Sequence, residues 1–97
     1  MIQEITLPKS PTDELLKLYL KNADGTQREI AAKAGFAQPN VLSMMKSGET
    51  KVPLSRIPAL AEACGEDAGT MIRVAMMEYH PETWQVLMHE LVGDLTE

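Results

Sequence analysis

The chain has 97 residues with a formal charge of −5, 44% hydrophobic residues and a single cysteine, Cys64. That length suits one domain, and the hydrophobic content is enough to fold it. The lone cysteine excludes an intramolecular disulfide and a thiolate zinc site. No apolar run reaches the ~18–20 residues that span a bilayer. The start, MIQEITLPKS, lacks a signal peptide's basic-then-apolar pattern, so a cytoplasmic protein is expected. Seven Met against one Trp, two Tyr and one Phe favour closely packed helices over a sandwich.

In chain order, residues 1–11 read as an N-terminal arm whose irregular stretch closes at Pro8. Ser10-Pro11 resembles an N-cap followed by proline at the first helical position. It opens a helix with Leu15, Leu16, Leu18 and Tyr19 on its apolar face, ended by Asn22-Ala23-Asp24-Gly25. Thr26 and Glu29 have the spacing of a capping box, so a second helix should run to about Ala34 and stop at Gly35. Gln38-Pro39 is expected to start a third helix by the cap-then-proline logic, with Val41 and Met44 inward and Leu42 and Met45 outward. Gly48 should end it.

Beyond Pro53, Ser55 is expected to cap a fourth helix bearing Ile57, Leu60, Ala61 and Cys64 on one side. Asp67 should cap a fifth, to about Tyr79, carrying Met71, Ile72, Ala75 and Met76. His80-Pro81 interrupts the pattern. Trp84, Leu87, Met88 and Leu91 then recur at helical spacing, predicting a sixth, amphipathic helix that ends near Gly93. No segment alternates as a strand does, so the fold class is all-α. The expected division is an arm over 1–11, a domain over 12–79 and a C-terminal helix over 80–97.

Within the domain, residues 26–47 meet the demands of two helices packed at a sharp angle. Ala31 leaves room where the helices cross, Gly35 sits where the turn needs positive φ, and Ile30, Ala34 and Phe36 face the core. This is the pattern of a helix-turn-helix, which pushes its second helix into the major groove of DNA. The acidic total charge is segregated. Residues 26–56 hold Arg28, Lys33, Lys46, Lys51 and Arg56 against Glu29 and Glu49, whereas residues 57–97 hold only Arg73 against eight acids.

The T-Q-x-E-I-A-x-K-A-G of helix two, the N-V-L-S of helix three, the following S-G-E-T-K-V-P and the later L-x-x-I-P-x-L-A-E-A-C-G resemble the lambda-repressor-like helix-turn-helix family. The resemblance covers roughly residues 12–79 and implies a five-helix DNA-binding domain, to which the sixth helix is an addition. It implies that Gln27 anchors a phosphate from the start of helix two, with Arg28 beside it. By the same resemblance Gln38 reads adenine, Asn40 and Ser43 reach bases or phosphates, and Leu42 meets a thymine methyl. Lys46, Thr50 and Lys51 would touch the flanking backbone. Pro39 departs from the pattern, standing where a polar base-contacting side chain is common.

The resulting expectation is a sequence-specific regulator of double-stranded DNA, a repressor acting as a homodimer, with Trp84, Leu87, Met88 and Leu91 either its dimerisation stripe or a face packed back on the monomer's own core. Two alternatives stay open. The acidic C-terminal part can instead serve a protein-interaction module of antitoxin type that neutralises a basic partner. The chain can also be a helical adaptor that kept the fold and lost DNA binding. Neither His80 with His89 nor any acidic cluster has metal-ligand spacing, and no phosphate loop or activated nucleophile appears. No enzyme activity, cofactor or metal is expected.

Overall fold

The computed structural model describes residues 10–93, and these are helical with no strand among them. The helices are α1 (Pro11–Asn22), α2 (Gln27–Lys33), α3 (Asn40–Ser47), α4 (Ile57–Cys64), α5 (Ala68–Tyr79) and α6 (Pro81–Leu87). Most of the arm expected over 1–11 lies outside the described residues, as do residues 94–97.

Local chemistry sets most helix ends. Ser10 Oγ accepts from the Asp13 amide at 3.1 Å, Pro11 occupies the first turn, and Asp13 and Glu14 face the positive end of the α1 dipole. The capping box of α2 is complete: Thr26 Oγ1 accepts from the Glu29 amide at 3.1 Å, and Glu29 Oε1 accepts from the Thr26 amide at 2.8 Å. Asp67 caps α5 by accepting from the Thr70 amide at 2.7 Å. At the end of α2, Gly35 takes φ +86°, which lets the Phe36 amide donate back to the Ala31 carbonyl at 2.9 Å.

Leu16 and Tyr19 of α1, Ile30 and Ala31 of α2, Leu42 and Met45 of α3, all four expected residues of α4, and Met71 and Ala75 of α5 form one buried core. Helix α5 packs against α1 and α4, and α3 against α1 and α2. Helix α6 packs on α5 and contributes no buried residue.

Three expectations are corrected. Leu42 and Met45 are fully buried in α3, while Val41 and Met44 are only half-buried, so the helix is rotated by about one residue from the expected register. Both pairs are apolar and three apart, and periodicity alone cannot choose between them. In the fold the Leu42–Met45 side is the one turned to the core that α3 shares with α1 and α2. Second, neither Gln38 nor Ser55 acts as a cap. Helix α3 enters through Pro39 in helical geometry with no side-chain cap, and a 3-10 turn, Leu54–Arg56, leads directly into α4. Third, the segment after His80 is helical to Val92, as far as expected, but only Pro81–Leu87 is α-helical and Met88–Val92 forms a π-helical turn.

Candidate nucleic-acid interface

Burying Leu42 and Met45 turns the opposite side of α3 to solvent. Asn40, Ser43 and Ser47 are exposed there, at the i, i+3, i+7 spacing of one helix face, and exposed Gln38 lies just ahead. The side chains of Gln38, Asn40 and Ser43 make no hydrogen bond or ion pair among the described residues. Ser47 is engaged: its hydroxyl donates to the Met44 carbonyl at 3.1 Å and lies 3.2 Å from Glu49 Oε2. Leu42 is the exception to the expected set. With 0% of its surface accessible it meets the core rather than a thymine methyl, and it leaves the candidate interface.

The flanking residues fall into two groups. Gln27 and Lys46 line one open cleft of about 220 Å³ with Lys17, Leu20 and Lys21. Gln27 is half-buried, and its Oε1 is sealed from solvent without a hydrogen-bond partner. Lys17 pairs with Glu14 at 3.2 Å across one turn of α1. The sequence does not single out Lys17 and Lys21, because the cleft is made by α1, α2 and α3 together. Their only local sign is the i, i+4 spacing of two cations on one helix. Arg28, exposed on α2, has no partner among the described residues.

Thr50 and Lys51 form the second group. They line a cavity of about 170 Å³ with Ser10, Asp13, Gly48, Glu78 and Tyr79. The Val52 amide donates to Tyr79 Oη at 3.0 Å, and the Lys51 ammonium stands 5.1 Å above the Tyr79 ring centre, a cation–π arrangement. Glu78 accepts from the Ser10 hydroxyl at 2.8 Å and the Thr12 amide at 3.0 Å. Burial pushes the Glu78 carboxyl up, but the hydrogen-bonding environment supplied by Thr12 and Ser10, helped by Lys51, outweighs it and holds the group below its usual range. Asp13 goes the other way: burial raises it against the Ser10 hydrogen bond, and nearby Glu78 raises it further. Neither Tyr79 nor Glu78 stands out in the sequence as a functional residue.

At the C-terminal end, Trp84 and Met88 are half-buried, while Leu87 and Leu91 are exposed. Val86, absent from the expected stripe, is 59% accessible and Leu91 is 70% accessible. The apolar surface left open is therefore centred on Val86, Leu87 and Leu91. Cys64 is buried, and burial pushes its thiol up, as suits a packing residue.

Among the described residues no group of three metal-ligating side chains converges, and no helix is long and apolar enough to cross a membrane. No family model matches the chain, and no solved structure matches it.

Proposed function

We propose that the chain is a DNA-binding regulator of lambda-repressor-like type, with α2 and α3 as its helix-turn-helix and α3 entering the major groove. The observation that carries this reading is the outer face of α3. It presents Asn40 and Ser43, with Gln38 just ahead of the helix, all with side chains unengaged, while Lys46 and Lys51 stand at the end of the helix and in the loop beyond. Short, uncommitted amides and hydroxyls suit base edges, and lysines at the margins suit phosphates. Gln38 is assigned to adenine N6/N7, and Asn40 and Ser43 to neighbouring bases or phosphates. Gln27, Arg28, Lys46, Thr50 and Lys51 are assigned to the backbone on either side.

Only three of these residues, Arg28, Lys46 and Lys51, are cations, which gives a weak monomer complex. The functional unit is a homodimer on a two-fold site with half-sites about one helical turn apart, and a log–log salt slope of roughly −5. The subunits associate through the open apolar surface of Val86, Leu87 and Leu91, and the complex represses by covering a promoter. The acids that flank this surface, Glu82 and Glu90, also suit a second reading in which it receives a basic protein partner while the helix-turn-helix represses their shared operon.

Selection of bound sequences from a random DNA pool tests the proposal. An enriched palindromic motif supports it, and Gln38→Ala should then relax preference at one base per half-site. Failure to retain any fragment at low salt refutes it.

A further inference from the structure

The loop after α3 is held by a residue far from it in sequence. Val52 is buried, and its amide finds its acceptor in Tyr79 Oη at 3.0 Å. Lys51, one residue earlier, is exposed, with its ammonium 5.1 Å over the same ring. One side chain thus fixes the loop backbone and gives the neighbouring cation a seat. The seat is needed because a lysine carries four rotatable bonds, and ordering it on a ligand costs conformational entropy. Glu78, next to Tyr79 on α5, adds its negative charge to the same cavity and binds the start of α1 through Ser10 and Thr12.

Resting on the DNA-binding reading above, we propose that Tyr79 is a positioning residue for the interface: it pre-orders the loop Thr50–Val52 and holds the Lys51 ammonium where a backbone phosphate is met. The ring face and the phosphate do not compete, because an ammonium has three N–H donors and the π face engages only one side of it. Tyr79 itself touches no nucleic acid. Its contribution is to reduce what Lys51 loses on binding, in the way that pre-ordering strengthens any contact.

The test combines a spectroscopic signature with a double-mutant cycle in the full-length protein. In the free wild type, the ε-methylene protons of Lys51 should resonate upfield through the ring current of Tyr79, and Tyr79→Leu should abolish that shift. On the selected DNA, Tyr79→Leu should weaken binding to all sequences alike. It should also flatten the salt slope as Lys51→Ala does, by up to about 0.9 per subunit. The two substitutions together should cost less than the sum of the two singles. Tyr79→Phe, which removes a single oxygen, serves if the leucine variant fails to fold. It should keep the upfield shift, speed exchange of the Val52 amide and weaken binding more when Lys51 is present than when it is alanine.

A wild type that binds DNA but lacks the upfield shift overturns the positioning role alone. So does additivity of either Tyr79 variant with Lys51→Ala. A wild type that shows the shift but retains no DNA overturns the DNA-binding reading, and the purpose assigned to Tyr79 falls with it.

Discussion

Glu78 and Thr12, separated by 66 positions in sequence, are joined by a 3.0 Å hydrogen bond from the Thr12 amide to the Glu78 carboxylate. The first turn of α1 is thereby closed by the last turn of α5, with the Ser10 hydroxyl as a second donor at 2.8 Å. Because the native environment holds Glu78 below its usual 4.5, its stabilising contribution is complete above that pH and is lost as pH falls through the lower native value. Asp13, raised above its usual 3.8, acts in the opposite sense: its ionisation costs stability, and acid relieves that cost. Glu78→Gln keeps an acceptor but no charge. Urea unfolding from pH 7 to pH 3 should therefore show a smaller acid loss in Glu78→Gln than in the wild type. Glu78→Ala should cost about 1–3 kcal/mol at pH 7, since it leaves the Thr12 amide without its partner.

The capping box of α2 makes a second expectation. Thr26→Ala removes the acceptor of the Glu29 amide and should destabilise the fold by about 0.5–2 kcal/mol. Thr26→Ser, which keeps the hydroxyl, should recover most of the loss in thermal melts.

Gly48 ends α3 at φ +85°, and a Cβ there would stand 3.0 Å from Asp13 Oδ2. Gly48→Ala therefore combines left-handed backbone strain with displacement of the Asp13 carboxylate. A loss of about 1–2 kcal/mol is expected in chemical denaturation. Gly65→Ala has a comparable φ of +74° and nothing within 4 Å, so it isolates the backbone part of the cost.

The register of α3 can be checked directly. Leu42→Ala and Met45→Ala should each cost about 2–5 kcal/mol, as fully buried side chains do. Ser43→Ala should change stability by no more than about 0.5 kcal/mol. If the outer face reads DNA, the order reverses in a binding assay at a temperature where all three variants are folded, with Ser43→Ala shifting sequence preference and the core variants keeping it.

Sedimentation of Leu91→Asp addresses the C-terminal surface. With 70% of its surface accessible, Leu91 can be charged without disturbing the core. If the subunits associate as proposed, the expected outcome is a shift from dimer to monomer at unchanged helix content, and an unaltered dimer would remove this face from the association.

How much of this could be read from the sequence depended on how local the physics was. Ser10, Thr26 with Glu29, and Asp67 announce helix starts because each cap is completed within three residues, and Gly35 and Gly48 announce ends through their own backbone angles. The inward set of α4 was equally plain, since Ile57, Leu60, Ala61 and Cys64 make one unambiguous stripe. Helix α3 was not plain, because Val41, Leu42, Met44 and Met45 make two interleaved apolar pairs whose relative depth is decided by neighbouring helices. The same limit hid Lys17 and Lys21, which become part of a cleft only when α1 meets α2 and α3. It also hid Tyr79, whose partner Val52 is 27 residues away.

The division of α3 into a wholly buried side and an unengaged side also bears on how such a protein changes over time. Leu42 and Met45 carry the packing, whereas the side chains of Gln38, Asn40 and Ser43 are exposed and make no hydrogen bond or ion pair among the described residues. Substitutions at those three positions are therefore nearly invisible to stability, and a lineage can exchange them without first acquiring compensating changes in the core. The surface that would choose a target is the part of this helix least constrained by the need to fold.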